Sequence, residues 1–599
     1  MIRNDDQEFY PNNQRSNPRK ERSHMSLSKK AIALVGTLAL GATAFVMVPS
    51  SQAATAVNGP APAIAGAVKG GTLTILEQGD FEHIDPARNY VGGTLDFYRF
   101  FIRTLTQYRT YNGKTELVPD VAADLGTTKD GGSTWVFKLR TNLKYEDGSK
   151  ITCADLKYGT MRSYNDAILD GGTTYAHDFL KNPTNFKGPY TEPNGDLKSV
   201  VCSPKGDSIT YMLSQPVPYF PYVTTFGSFS PVPKAKDTKQ NYDSHPVSSG
   251  PYKIESYNRG KNMTLVRNTN WDPATDPARW NYPDKIVVKF GYEQNALEQQ
   301  LVSDSADVQT AMSTDTGVIT NLPKVLANPS AYKSRFFSFV SPYARYLAIN
   351  LDTVKDVNVR KAIQCAIDLR TILLAAGGTA AGTYSNSLIP SSIKNGYRNF
   401  DICGRDVHTK PEAQIAAARG YLKQAKDVKK DLILAYRDKG VEPQRAEAAQ
   451  QALEAVGFTV TMMKLPRAGY YTRIGQRDAG VVQPDVIQTS WGYDWAASSG
   501  IVYALLDGRT MTASDSHSNY SRQNVPALQA LFAKADMITN PAASDAALGD
   551  IDQQAIQDYA AVMPVYFETS NFITGSKLGG VQVDGGYGTI SPLAAFVKK

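Results

Sequence analysis

Along most of the chain, segments with the two-residue apolar alternation of strands are interspersed with segments that have the three- or four-residue apolar spacing of helices. This pattern predicts a mixed order of strands and helices. Alternation over residues 134–139 predicts a half-buried strand. Over residues 359–370 the apolar positions recur every three or four residues and form one stripe of a predicted helix: Val359, Ala362, Ile363, Ala366 and Ile367. We expect this stripe to be core, and we expect Arg360 and Asp368 to be solvated or to fix the helix.

A β-α-β unit is predicted in the second half of the chain. Residues 432–436 and 458–465 have the apolar runs of strands, and the alanine-rich segment 443–456 between them has a proline near its start. Gly457 follows the last helical residue, as is typical of a helix end. Because a strand, a helix and a second strand in this order pair in parallel, the pattern indicates an α/β lobe.

A further strand of this lobe is predicted from residue 485, and it breaks at Gly492 among aromatic side chains. Trp491, Tyr493 and Trp495 surround a single carboxylate, Asp494. A strand end of this kind can hold a ligand that has apolar parts and one positive charge. The rings would supply contact area, and the carboxylate would fix the orientation of the ligand. The alternative is that the aromatic residues pack a core and that Asp494 caps a turn.

The first 53 residues have the pattern of an export signal. Residues 31–48 carry no charge, two lysines precede them, and small residues follow, with cleavage expected after Ala53 or Ala56. An uncleaved membrane anchor is the alternative, because the apolar run is 18 residues long. Residues 54–69 are rich in alanine, proline and glycine and predict a flexible tether. We therefore expect the protein on the extracellular face of the membrane or cell wall, or secreted.

Length, charge and cysteine content narrow the class of protein. A chain of 599 residues is too long for one core, so two or three domains are expected. Without residues 1–53 it holds 57 Lys and Arg against 53 Asp and Glu, and this small excess does not indicate a nucleic-acid surface. Four cysteines in an exported chain suggest two disulfides, and proximity in sequence favours Cys153 with Cys202 and Cys365 with Cys403. Their spacing argues against a zinc site, and no cofactor is expected.

Several motifs, taken in order, resemble one family. Residues 130–140 read Asp-Gly-Gly-Ser-Thr-Trp-Val-Phe-Lys-Leu-Arg, residues 144–148 read Lys-Tyr-Glu-Asp-Gly, and residues 491–494 read Trp-Gly-Tyr-Asp. Further matches are Gly-Pro-Tyr at 250–252 and Val-Arg-Lys-Ala at 359–362. Their order and spacing resemble the family 5 extracellular solute-binding proteins, the dipeptide and oligopeptide receptors of ABC importers. The resemblance covers about residue 70 to the C-terminus.

The resemblance implies an α/β fold of the type II periplasmic-binding-protein kind, with two lobes, a ligand cleft between them and an inserted subdomain. Hinge closure on the ligand is the response expected of such a receptor. The expected boundaries are 70–98, 243–309 and 564–599 for lobe I, 99–242 for the inserted subdomain II, and 310–563 for lobe III.

The resemblance also implies the site. Asp494 would pair with the α-amino group of a peptide, Trp491 would line the pocket, and Tyr493 and Trp495 would be further walls. Arg345 is a candidate cation for the peptide carboxylate. Many members continue Asp-x-x-Asp/Glu-Pro, whereas here Asp494 is followed by Trp-Ala-Ala-Ser, so an oligosaccharide, metal chelate, haem or opine is an alternative ligand.

The expected function is therefore capture of di- or oligopeptides and their delivery to the permease subunits of an ABC transporter, by a monomer that does not bind nucleic acid. The distant alternative is a secreted hydrolase. Ser391 and Lys394 match a Ser-x-x-Lys nucleophile motif, but its Lys-Thr-Gly and Ser-Asp-Asn partners are absent from the sequence. We therefore predict a binding protein rather than an enzyme.

Overall fold

The computed structural model describes residues 58–599 apart from 91, 166–167, 170–171, 316, 404–410, 467–469, 477–479 and 512–517. The predicted export signal, residues 1–53, lies outside the described residues, as does the start of the predicted tether. Within the described ranges, none of the helices has the length and apolar content needed to cross a membrane.

The strands, numbered in chain order, are β1 Thr72–Leu76, β2 Thr106–Tyr111, β3 Lys114–Pro119, β4 Thr134–Lys138, β5 Val200–Cys202, β6 Ser208–Met212, β7 Tyr252–Asn258, β8 Asn262–Arg267, β9 Lys285–Lys289, β10 Ala311–Met312, β11 Phe336–Ile349, β12 Gly382–Tyr384, β13 Asp431–Arg437, β14 Thr459–Leu465, β15 Val486–Trp491, β16 Val562–Ile573, β17 Leu578–Gly579, β18 Gln582–Asp584, β19 Thr589–Ser591 and β20 Phe596–Val597.

The α-helices are α1 Gly92–Phe97, α2 Cys153–Arg162, α3 Tyr175–Phe179, α4 Phe220–Val223, α5 Gln294–Ser303, α6 Leu322–Ala327, α7 Pro329–Tyr332, α8 Val357–Ala366, α9 Leu369–Ala375, α10 Pro411–Gln424, α11 Glu442–Val456, α12 Tyr470–Gly475, α13 Ser499–Leu506, α14 Pro526–Ala535 and α15 Pro541–Gln557. Short 3-10 turns lie at Tyr98–Phe100, Gly227–Phe229, Lys234–Lys236, Lys239–Ser244, Pro273–Thr275, Gly378–Ala380 and Gly508–Thr510.

Two large sheets organise these elements. One has the order β10-β1-β9-β8-β7, in which β1 pairs in parallel with both β9 and β10. The other has the order β12-β16-β11-β15-β13-β14. A three-stranded sheet, β4-β6-β5, belongs to the part of the chain between β1 and β7. Both large sheets combine parallel and antiparallel pairs, which is common in large sheets.

The β-α-β unit predicted from the sequence is present. β13 pairs in parallel with β14, and α11 connects them. Gly457 ends α11 with φ +114°, a left-handed conformation that glycine adopts without a steric cost. β15 also pairs in parallel with β13, but β11 and β16 are antiparallel additions, so the sheet is mixed. The parallel pairing was thus confirmed for β13, β14 and β15 and does not extend to the other strands.

β11 and β16 are long enough to reach two hydrophobic cores. Their ends at Tyr346–Ile349 and Val562–Tyr566 belong to the core around β13 and β15, whereas Phe337, Phe339 and Phe572 pack against the core around β1. The register between the two strands shifts between Val340 and Ala344, a bulge that bends paired strands. These strands therefore connect the two parts of the molecule directly.

The helix predicted over residues 359–370 is interrupted. α8 ends at Ala366, and the Asp368 side chain accepts a hydrogen bond from the Arg370 N–H at the start of α9. Asp368 therefore fixes a helix terminus, as an N-cap residue does. Arg360 is buried and donates to the carbonyls of Val354, Lys355 and Tyr559, so of the two roles expected for it solvation was wrong.

Both predicted cysteine pairs are disulfides. Cys153 is bonded to Cys202, which joins the start of α2 to β5, and Cys365 is bonded to Cys403, which anchors the segment after β12 to α8. The described part of the predicted tether differs from expectation, because its backbone is held: the Ala61 N–H donates to the Asp276 carbonyl at 2.8 Å, and Trp280 Nε1 donates to the Pro62 carbonyl. Contacts made far along the chain give this segment its order.

Candidate functional site

The candidate site forms where β15 ends. This strand lies between β13 and β11, and its residues Val486 and Ile487 are buried. Trp491 at its end lies opposite Ala344 of β11. The chain then turns at Gly492, where a Cβ atom would lie 2.6 Å from Cε1 of the Tyr343 ring. A glycine is therefore required at this position unless the ring moves.

Asp494 lies just beyond this turn and is hydrogen-bonded to Tyr90, whose hydroxyl is in turn within hydrogen-bond distance of Tyr175. The Tyr90 hydroxyl donates to Asp494 Oδ1 at 2.6 Å, and it lies 3.1 Å from the Tyr175 hydroxyl. The Asp494 N–H donates to the Gly500 carbonyl, which fixes the backbone. Among the described residues no lysine, arginine or histidine forms an ion pair with this carboxylate.

The surroundings of Asp494 change its acidity. Removal of the carboxyl group from water raises its pKa to about 6, although the hydrogen bond from Tyr90 and the nearby Tyr175 hydroxyl act in the opposite direction. At neutral pH the group is thus an anion that is partly removed from water, without a cationic partner among the described side chains. Such a carboxylate is suited to bind a positively charged group of a ligand.

Exposed aromatic rings border this carboxylate and the end of β15. Tyr90, Tyr343 and Tyr471 keep 42%, 40% and 41% of their surface accessible. Trp491 and Tyr493 are half-buried, and the buried Trp491 Nε1 has no hydrogen-bond acceptor within the described residues. Accessible rings beside a carboxylate that has no ion-pair partner form a surface that is suited to a ligand.

Trp495 occupies a different position from the one expected. It is only 4% exposed, its ring stacks on Tyr219 with 5.3 Å between centroids, and its Nε1 donates to Ser499 Oγ. Tyr175 contacts the same ring edge-on at 5.6 Å. Trp495 therefore supports the site from behind and leaves little surface for a ligand.

Arg345 is already engaged with carboxylates. Its Nε donates to Glu568 at 2.6 Å, and its Nη1 lies 3.8 Å from Glu442. Arg437 and Arg445 also pair with Glu442, at 3.2 Å and 3.7 Å. These five side chains, which we call the arginine cluster, combine three positive charges with two negative ones beside Ser490 and Tyr471. The excess positive charge makes the cluster a candidate for binding an anionic group.

Sequence reasoning did not find Tyr90, Tyr175, Arg437 or Arg445. Arg437 had a signal that could have been used: it ends β13, and the carboxyl ends of parallel strands meet at one edge of a sheet. No comparable signal marks Tyr90 or Tyr175, because their approach to Asp494 depends on how distant segments pack.

The rival hydrolase motif and metal chemistry gain no support from the geometry. Ser391 and Lys394 are both exposed on a turn before α10. Within the ranges that the structure covers, no group of three or more His, Cys, Asp or Glu side chains is arranged to hold a metal ion.

Comparison with known proteins shows the family to which the chain belongs. The sequence model of the bacterial extracellular solute-binding proteins, family 5, middle region, matches residues 116–513. The chain belongs to this family. It is a family of solute-binding proteins rather than enzymes.

This family 5 protein is similar to the periplasmic oligopeptide-binding protein OppA of Escherichia coli K12, at 23% identity, with 74% of this chain and 78% of OppA covered. It is similar to the probable D,D-dipeptide-binding periplasmic protein DdpA of the same organism, at 24% identity, with 73% and 77% covered. Among solved structures, clavulanic acid biosynthesis oligopeptide binding protein 2 superposes with a TM-score of 0.81 at 25% identity, covering 91% of this chain and 99% of that one. The type II fold expected from the motifs is confirmed.

Proposed function

We propose that this family 5 protein is an extracellular receptor that binds short peptides with a free α-amino group and delivers them to the permease of an ABC transporter. The observation that carries the proposal is the Asp494 carboxylate, unpaired with any described cation and bordered by accessible tyrosine rings. The names of OppA, DdpA and the clavulanic acid protein, which refer to peptide ligands, support the choice of ligand.

The charge of Asp494 explains why an ammonium group would bind there. A carboxylate that has lost much of its hydration is stabilised by a cation, and the ammonium group of a peptide supplies one together with N–H donors. Trp491 and Tyr493 lie at the same strand end, where they can contact the first residues of the peptide. Such contacts discriminate little among the side chains of the peptide.

The arginine cluster is the proposed partner for the other end of the ligand. Ser490, which borders the cluster, is four residues from Asp494, and four residues of extended chain span at most about 14 Å. A peptide of two to four residues has a comparable length from its amino group to its carboxylate. We therefore propose that Arg345, with Arg437 and Arg445, binds the carboxylate of a short peptide.

Hinge closure is the proposed capture step. β11 and β16 reach both hydrophobic cores, and the bulge between Val340 and Ala344 offers a place where paired strands can bend. We propose that the moving units are lobe I (70–98, 243–309 and 564–599) with subdomain II (99–242), and lobe III (310–563). β16 pairs along β11 to Ile573, so the last boundary lies within a continuous strand.

The remaining parts of the proposal follow from the family. We propose that the receptor works outside the cell as a monomer, after export directed by residues 1–53, and that it has neither catalytic activity nor a nucleic-acid partner. The small net charge of the chain beyond residue 53 agrees with the last point.

The test is thermal unfolding of the mature protein with a mixed pool of di- to pentapeptides, and with the same pool N-acetylated. A ligand at 100 times its dissociation constant stabilises the folded state by about 2.7 kcal/mol, enough to measure as a shift in Tm. We expect the free-amino pool to raise Tm and the acetylated pool to leave it unchanged. If neither pool raises the Tm of protein shown to be free of co-purified ligand, peptide binding is wrong, and oligosaccharides, metal chelates, haem and opines become the ligands to test.

A further inference from the structure

Three polar side chains from separate parts of the fold meet at one point. Tyr90 lies in the loop between β1 and α1, Tyr175 begins α3, and Asp494 follows β15. The Tyr90 oxygen is 2.6 Å from Asp494 Oδ1 and 3.1 Å from the Tyr175 oxygen. Tyr90 and Asp494 are 404 residues apart, so the contact exists only when these segments are packed together.

The direction of these hydrogen bonds follows from proton counting. An ionised carboxylate can only accept, so the single hydroxyl proton of Tyr90 is donated to Asp494. The Tyr90 oxygen then has lone pairs but no proton left, and the 3.1 Å contact requires Tyr175 to be the donor. The chain therefore runs from Tyr175 to Tyr90 to Asp494, and each bond strengthens the next.

From this arrangement we infer that Tyr90 and Tyr175 are positioning residues, which fix the Asp494 carboxylate in one orientation and in its ionised form for the ligand's ammonium group. The inference rests on the proposed function, since it assigns these tyrosines a role in that site. Because Tyr90 donates to Oδ1, Oδ2 is left to accept from the ligand. An ammonium group, which has several N–H donors, can supply that hydrogen bond.

The electrostatic surroundings agree with this role. The titratable groups that face Asp494 are the hydroxyls of Tyr90, Tyr175 and Tyr343, from the loop after β1, from α3 and from β11. Although the rings of Tyr90 and Tyr343 keep accessible surface, desolvation of the hydroxyl group raises the pKa of all three tyrosines, so they stay protonated and can donate. Burial raises the pKa of Asp494, whereas the hydrogen bond from Tyr90 and the nearby Tyr175 hydroxyl lower it, so loss of either hydroxyl should raise it further.

The test measures binding of Ala-Ala-Ala by calorimetry between pH 5 and pH 7.5, for the wild type and for Tyr90→Phe and Tyr175→Phe. Wild-type affinity should rise through about pH 6 as Asp494 ionises. Tyr90→Phe should weaken binding roughly tenfold at pH 6, the effect of losing a hydrogen bond to a charged group, and by less at pH 7.5. The midpoint of the pH dependence should move upward, and Tyr175→Phe should move it in the same direction by less.

The matched control is Tyr257→Phe. It removes a hydrogen bond of the same kind, from Tyr257 to Asp80 at 2.7 Å, at a different place in the fold. It should leave both the affinity and the pH midpoint unchanged. A loss of affinity in Tyr90→Phe that is equal at every pH would overturn the inference, because it would indicate a structural role only. Unchanged binding in Tyr90→Phe would overturn it as well.

A measurement without ligand separates this inference from the proposed function. Thermal unfolding of the wild type, Tyr90→Phe, Asp494→Asn and the double variant forms a double-mutant cycle. Coupling between the two positions should be clear at pH 7.5 and smaller at pH 5, where Asp494 is protonated. If Ala-Ala-Ala does not bind the wild type but the coupling between positions 90 and 494 is found, the assignment of a peptide ligand is wrong. The inference that Tyr90 fixes the carboxylate is then still supported. Additive effects at both pH values would overturn the inference.

Discussion

At the scale of single residues, one carboxylate carries most of the functional argument. The sequence marked Asp494 through its place in a Trp-x-x-Asp motif at a strand end. The structure adds that Tyr90 donates to it and that none of the described cations pairs with it. Arg345 was the candidate to bind the negative end of the ligand. It lies in the arginine cluster, where Glu568 and Glu442 partly neutralise its charge. Which charges are available to a ligand depends on side-chain partners, which a sequence does not specify.

Asp494→Asn should weaken binding of free-amino peptides by roughly 2 to 5 kcal/mol, because the ligand's ammonium group would lose its counter-ion in a poorly hydrated place. Calorimetry with a free-amino peptide and with its N-acetylated form measures this. The acetylated peptide is the control, since the substitution should change its affinity little. Equal affinities of wild type and variant for the free-amino peptide would show that Asp494 is not the anchor.

Asp494 should also make the ligand-free protein less stable as pH rises. Its pKa is about 6 in the folded protein and near 3.8 when unfolded, so the folded state binds more protons between those values. The free energy of unfolding of the wild type, measured relative to that of Asp494→Asn, is therefore highest below about pH 4. It falls by about 3 kcal/mol as the pH rises to 6 and above. Denaturant unfolding of both proteins at pH 4.5, 6 and 7.5 measures this difference. A difference that stays constant with pH would mean that the pKa is not raised.

At the scale of elements, local patterns predicted what local interactions determine. β4, β13, α11 and β14 lie within a residue or two of their predicted positions, because alternation, helical spacing and the proline and glycine at the ends of α11 are local signals. The break between α8 and α9 was missed even though Asp368 is a good N-cap residue, since the apolar stripe continues across it. The order of residues 61–64 could not be predicted, because Asp276 and Trp280 hold them from more than 200 positions away.

Gly492→Ala should disturb the end of β15. The added Cβ would lie 2.6 Å from the Tyr343 ring, which must move, and overpacking of this kind costs about 1 to 3 kcal/mol. Because Tyr343 borders Asp494, we expect weaker peptide binding as well as a lower Tm. The control is Gly420→Ala in α10, where a Cβ meets no atom within 4 Å and where alanine favours the helix. If Gly492→Ala binds and unfolds like the wild type, the close approach is not a constraint.

At the scale of the whole molecule, the sequence by itself determined the family, the α/β class, the two disulfides and the motif that contains Asp494. These follow from local periodicity, from proximity of cysteines and from motifs whose order is readable along the chain. Only the tertiary structure decided that Tyr90, Tyr175 and Asp494 meet, that Trp495 lies behind the site and that three arginines gather around Glu442. The physical reason is that such contacts join residues up to 404 positions apart, and their geometry is set by the packing of sheets and cores rather than by any neighbouring residue.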